Sequence, residues 1–174
     1  MGIRDEELKR LVKYAEGMGA KVVFKPSDPT HNARAEWSVK GDLITIYSKP
    51  TDSKLSLILS LIHEIGHHVS FIEDDNRIHP KGLLEALNQE SAGLPLSKHQ
   101  RRLILKSELM GMRWWDSIYN STNMKFPRYK LYLEREYDTW YYNFLFQVGR
   151  DPTRKEKNVK LKQLKGIFNA QTER

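Results

Sequence analysis

Two histidines stand four residues apart with a glutamate directly after the first, in His63-Glu64-Ile65-Gly66-His67. On a helix, positions i and i+4 lie one above the other on the same face, so both imidazoles can reach a single cation. Glu64 is turned roughly 100° from His63 and can approach a water on that cation without ligating it. These are the parts that metal-assisted hydrolysis of a peptide bond needs. The competing reading is a pair of ordinary helix histidines beside a solvated charge. The flanks argue against it: Leu55-Ser56-Leu57-Ile58-Leu59-Ser60-Leu61-Ile62 runs into the motif, and Val69, Ser70 and Phe71 follow it. A helix apolar nearly all round is a buried one. Two imidazoles and a carboxylate buried together need compensation, and a divalent cation supplies it. Gly66 costs about 1 kcal/mol relative to alanine in a helix interior, which is understandable if another backbone or a substrate passes close to it.

Catalytic zinc usually takes three protein ligands and leaves the fourth position to water. With no cysteine in the chain, the third ligand must be His, Asp or Glu. The favoured candidate is Glu108, within Leu103-Ile104-Leu105-Lys106-Ser107-Glu108-Leu109-Met110-Gly111-Met112-Arg113-Trp114-Trp115. If that stretch is helical, Ile104, Leu105, Gly111, Met112 and Trp115 share its face, and a carboxylate in an inward-facing apolar stripe needs a partner. Glu90 is the alternative, with Ala86, Leu87, Gly93 and Leu94 as helical neighbours. Gly93-Leu94-Pro95 ends that segment, so Glu90 is expected in a fraying last turn beside water. Asp116 and His99 read as solvated helix residues. His68 points about 100° away from His67 and reads as a packing residue or a support for the ligands.

On these residues the chain resembles the gluzincin class of zinc metallopeptidases, and more narrowly the short ImmA/IrrE-like and phage-encoded metallopeptidases. The resemblance covers roughly residues 35 to 120. It implies one zinc ion on His63, His67 and Glu108, Glu64 as general base on a zinc-bound water, and an intracellular protein or peptide substrate. It further implies an edge strand before the metal helix. The segment around Glu108 departs from the family in having Gly111 where alanine is expected. The residue that steadies the oxyanion in such enzymes is unassigned; Tyr119, eleven residues after Glu108, is a candidate that reads more readily as a core or surface tyrosine.

The remaining elements must position this kit. Leu8, Leu11, Val12 and Ala15 recur at helical intervals over 4–17, with Asp5, Glu6 and Glu7 in the first turn, where the helix dipole favours acids. Lys21-Val22-Val23-Phe24-Lys25 reads as a strand stopped by Pro26, and Pro29 continues the loop. Segments 35–40 and 43–47 flank Gly41-Asp42, a pair suited to closing a hairpin. The second of them leads through Thr51 to Ser53, a capping stretch, into the metal helix. A strand at the lip of the cleft can pair with an extended peptide, and Leu43 to Tyr47 is expected to do so, with Ile44, Ile46 and Tyr47 against substrate. A polar loop follows at Glu73-Asp74-Asp75-Asn76 and Pro80, then helices near 81–92, 97–120, 127–147 and 153–169. The expected fold is therefore α+β and zincin-like, mostly helical, with a small antiparallel sheet or hairpin before the metal helix. A metallopeptidase domain over 1–150 and a basic amphipathic helix over 151–174, docked on the same domain, complete it.

Length and charge bound the rest. At 174 residues one domain can bury a sizeable core without staples. The absence of cysteine removes disulfides, and Met1 to Glu7 has no apolar stretch of the signal-peptide kind. No apolar run reaches membrane-spanning length, so a soluble cytoplasmic protein with no membrane partner is expected. The net charge is +7, but eight Lys or Arg against three Asp or Glu put +5 of it between Arg150 and Arg174, and 21 against 19 leave +2 for the rest. Leu161, Leu164 and Phe168 at helical spacing among lysines read as an amphipathic helix. It either docks on the parent domain or makes weak contact with nucleic acid or an acidic partner protein. The aromatic-dense stretch Tyr129 to Phe146 reads as core. A second functional class also stays open: a regulatory binding protein whose metal is structural, or whose site is inactive, and which contacts partners through the basic tail.

Overall fold

The computed structural model describes residues 2–27, 34–38, 42–73 and 81–172. They form a mixed α+β chain in which helices dominate. In chain order the elements are α1 (Ile3–Gly17), β1 (Lys21–Pro26), β2 (Ala35–Ser38), β3 (Leu43–Ser48), α2 (Lys54–Glu73), α3 (Lys81–Ser91), α4 (Lys98–Met112), α5 (Trp115–Ser121), α6 (Arg128–Val148) and α7 (Arg154–Thr172). The chain forms two compact units. The first is Met1–Arg77 with Met110–Lys125, the second Ile78–Leu109 with Phe126–Arg174. Helix α4 is continuous across the boundary, so its last turn belongs to the first unit and the rest to the second.

In the first unit, α2 is the core element. Ile58, Leu61, Ile62 and Ile65 are fully buried and Val69 nearly so, and α1, α5, β2 and β3 pack around them. Each such side chain contributes roughly 1.5–3 kcal/mol. By length and hydropathy α2 could cross a membrane, but more than half of its most apolar window is buried inside the protein, which is the pattern of a core helix. Helix α1 is tied down through Glu7, which was expected only to complement the helix dipole. Its carboxylate is fully buried and accepts from the Arg4 guanidinium at 2.6 Å and from the Lys125 backbone N–H. Arg10 donates to the carbonyls of Thr122 at 2.9 Å and Asn123 at 3.2 Å, anchoring the chain just after α5.

The sheet corrects two expectations. It has three strands in the order β1-β3-β2, with β1 parallel to β3 and β2 antiparallel to it. The sheet is therefore mixed rather than antiparallel. β3 is its central strand, not a lip: β1 fills one edge through Val22↔Ile44 and Phe24↔Ile46, and β2 fills the other through Trp37↔Ile44 and Ala35↔Ile46. No peptide can pair with a strand whose two edges are both taken. Ile44 and Ile46 are fully buried on the α2 side, so neither reaches a substrate. Tyr47 donates its hydroxyl to Glu36 at 2.5 Å, and that bond holds its pKa up to about 12. Of the anticipated hairpin turn, Gly41 lies outside the described residues and Asp42 takes a left-handed φ of 44°; the loops at Pro29 and Asp74 to Pro80 also lie outside them.

The helix expected over 97–120 is two helices. After Met112 the backbone tightens, with Trp114 N–H donating to Gly111 C=O at 3.2 Å, and resumes as α5 with Trp115 fully buried. Neither proline nor glycine stands at Arg113-Trp114, and burial of the indole outweighs helix continuation. In the second unit, Leu83 and Ala86 of α3 pack on Ile104 of α4. Helix α7 packs on α6 and buries Leu164. Its start is a capping box: the Thr153 hydroxyl accepts the Glu156 N–H at 3.3 Å, and the Glu156 carboxylate accepts the Thr153 N–H at 2.7 Å.

Gly66 of α2 is explained by its neighbour. A Cβ there would lie 2.5 Å from the carbonyl oxygen of Gly111 and 3.2 Å from Cδ1 of Trp115. Gly66→Ala should therefore destabilise the protein by about 1–3 kcal/mol through overpacking, although alanine is the better helix former by about 1 kcal/mol. Urea unfolding measures this, and a stabilised variant would mean that the two helices do not meet at Gly66.

Candidate metal centre

The two imidazoles of the His-Glu-x-x-His segment converge. Nε2 of His63 and Nε2 of His67 are 3.2 Å apart, with ring centroids 4.9 Å apart. Two nitrogens bound to one tetrahedral ion at 2.0–2.1 Å would stand roughly 3.3 Å apart, so the observed spacing fits a shared cation. Ligand atoms of His63, His67 and Glu108 all lie within 4.8 Å of one another. These three side chains form a group able to hold a metal ion, made of two imidazole nitrogens and one carboxylate oxygen.

The local structure accounts for each position. His63 and His67 share a face of α2 because they are one turn apart, and α2 is rigid because its other faces are buried. Glu108 is 8 % exposed, in a stripe of α4 whose neighbours Ile104, Gly111 and Met112 are also buried. Three residues after it, Gly111 meets Gly66, and a Cβ on Gly111 would lie 2.9 Å from Nδ1 of His67. Glycine at 111 is thus required by the close seating of the His67 ring. Glu64, also 8 % exposed, projects from α2 on the neighbouring side of His63, as a 100° turn dictates.

Two tryptophans bracket the imidazoles. Trp37 of β2 lies parallel to the His67 ring, 6.5 Å between centroids and 2° between planes. Trp115 of α5 meets the His63 ring edge-on at 5.5 Å. These apolar planes restrict ring rotation and limit solvent access to the imidazoles. Trp115 was legible as sharing the Glu108 face. Trp37 was not picked out; its signal was an aromatic two residues from Ala35 on a strand beside the metal helix. His68 is a support rather than a ligand: its Nε2 lies 3.0 Å from the Met18 carbonyl and its Nδ1 3.8 Å from Asp42. Tyr119 lies half-buried on α5.

Glu90 does not join the group. It is half-buried on α3, although Ser91 to Pro95 directly after it are exposed. Burial first, then the charges of Glu108 and Asp151, raise its pKa to about 7. A carboxyl whose folded pKa exceeds its unfolded value costs nothing below about pH 4.5, and the cost grows to its full size above about pH 7. Glu90→Gln should therefore stabilise the metal-free protein at pH 8 by on the order of 1–2 kcal/mol after allowance for solvent screening. The gain should vanish at pH 4.5 in denaturant titrations. The same variant should keep its metal, whereas Glu108→Ala should lose at least tenfold in metal affinity; the reverse pattern would make Glu90 the ligand. Comparison of the chain with protein-family models, curated proteins and solved structures finds no match, so its function has to be argued from the chemistry of this group.

Proposed function

We propose that the chain is a zinc-dependent peptidase of the zincin type, with His63, His67 and Glu108 as metal ligands and Glu64 as general base. The observation that carries this is the convergence of two imidazole nitrogens and a buried carboxylate beside a fourth group, Glu64, that lies on the same helix but off the ligand face. Two imidazoles and one carboxylate are a donor set suited to zinc, and three protein ligands leave a coordination position for solvent. The bound ion would supply Lewis acidity, polarising a carbonyl and lowering the pKa of a coordinated water toward about 7.

The chain's own residues do the rest. The Glu64 carboxylate accepts a proton from the attacking water and returns it to the departing amine, a two-way transfer that one buried carboxylate beside the ligands can perform. The indoles of Trp37 and Trp115 hold the imidazoles and keep bulk water from them. Substrate docking moves from β3 to β2. No described strand pairs with the outer edge of β2. Tyr47 N–H donates to Arg34 C=O at 2.8 Å, so positions 34, 36 and 38 bond inward to β3. The backbone groups of Ala35 and Trp37 therefore point away from β3. An extended peptide adding there would run past the Trp37 indole that stacks on His67.

Two variants test this reading. Glu64→Gln should retain zinc by elemental analysis and lose peptide hydrolysis by at least a hundredfold; retained cleavage would remove Glu64 from the role. Ala35→Pro deletes one outward N–H while leaving the ladder to β3 intact. It should raise KM severalfold with kcat little changed, and an unchanged KM would mean that peptides do not pair with β2. Bound zinc without cleavage of any peptide by the unmodified chain would favour the structural-metal reading.

A further inference from the structure

The second unit carries a different kind of surface. Helix α6 presents Tyr137, Trp140, Tyr141 and Phe144 at helical spacing, with ring centroids 5.6 Å apart for Tyr137 and Trp140 and 5.7 Å apart for Trp140 and Phe144. Beside this stripe, α7 carries six Lys or Arg and one acidic residue, Glu156, between Arg154 and Thr172. A cleft of about 290 Å³ opens where they meet, floored by Trp140 and Phe144 and rimmed by Lys155 and Lys160. A second cleft, of about 400 Å³, adjoins it through shared Lys155 and Val159 and adds Arg154 and Lys162. The one acid on the rim, Glu156, is neutralised by a two-point pair with Arg150, both N···O distances 3.0 Å. Cations already sit over two rings of this face, Arg150 over Phe144 at 5.1 Å and Lys157 over Tyr141 at 5.3 Å.

We propose that this α6–α7 cleft binds single-stranded nucleic acid, with a base stacked on Trp140 and Phe144 and phosphates held by Arg154, Lys155, Lys160 and Lys162. Charge complementarity calls for a polyanion. The floor selects which one, because aromatic planes within a positively charged groove are the elements on which unpaired bases stack. An acidic protein would use the lysines and have no need of the indole, and a duplex keeps its bases stacked inside and cannot offer one to the cleft. The surface lies wholly within the second unit and is independent of the metal reading.

The test is fluorescence anisotropy of the full chain with a labelled twelve-nucleotide oligothymidylate, its duplex form, and polyglutamate as competitor, over a salt series. Four phosphate contacts predict a slope of log K against log salt of about −3, from −0.7 per cation on a single strand. Lys155→Gln with Lys160→Gln should make the slope shallower by about 1.4. Trp140→Leu, which keeps the site apolar, should weaken single-strand binding about 5- to 100-fold and leave the slope unchanged. Val159 is 49 % exposed, so Val159→Glu should preserve the fold, checked by circular dichroism, and weaken binding by placing a carboxylate between the two clefts. Equal affinity for duplex with no effect of Trp140→Leu would overturn the proposal in favour of unspecific charge attraction. Polyglutamate displacing the strand at equal charge would overturn it in favour of an acidic protein partner, and absence of binding at low salt would overturn it outright.

Discussion

The approach of α2 to the last turn of α4 is the constraint from which the rest of the site follows. Gly66 and Gly111 face each other with no room for a methyl group on the former, and a Cβ on Gly111 would meet the His67 ring, so this near-contact of backbones seats the last turn of α4 beside the imidazoles. Glu108 stands one turn earlier on the same helix and supplies the carboxylate of the group able to hold a metal ion. Each glycine costs about 1 kcal/mol of helix propensity, and that cost is offset by the close packing it allows.

Much of this was legible in the residues themselves. The His-Glu-x-x-His spacing with its apolar flanks specified a buried helix with paired imidazoles, and the stripe of Ile104, Gly111 and Met112 marked Glu108 as inward-facing. Gly66 announced a close neighbour without naming it. The topology of the sheet was not legible. Alternation over 35–40 and 43–47 gives two neighbouring strands, but nothing local reveals that Lys21–Pro26 returns alongside Leu43–Ser48 in parallel, because strand order is decided by long-range packing. That one missing fact made a central strand look like an edge and put the expected substrate contacts at Ile44, Ile46 and Tyr47, of which the first two are fully buried. The break at Arg113-Trp114 was hidden for a related reason: no helix breaker stands there, and the turn exists because Trp115 has a buried place beside His63 to fill. Glu90 misled in the other direction. The glycine and proline after it correctly ended the helix, but its carboxyl is half-buried, enough for burial to raise its pKa.

The two units divide the chemistry by composition. The first concentrates its polar atoms at a few buried points, the imidazole pair, Glu64 and Glu7, within a core of aliphatic side chains. The second buries Glu108 and half-buries Glu90, but six basic residues of its α7 flank an aromatic stripe of α6 on the surface. Buried ligands demand rigidity, and a basic surface with an aromatic floor demands access. Helix α4 serves the first of these demands at its end, and its beginning belongs to the core of Leu83, Ala86 and Ile104.

X-ray absorption at the zinc edge, on the full chain loaded with one equivalent of metal, tests the central claim most directly. The account predicts one ion per chain with two imidazole nitrogens at about 2.0–2.1 Å and the remaining first-shell scatterers oxygen at about 2.0–2.2 Å. An ion with an oxygen-only shell, one or no imidazole in its coordination, or no stoichiometric binding at all would contradict it.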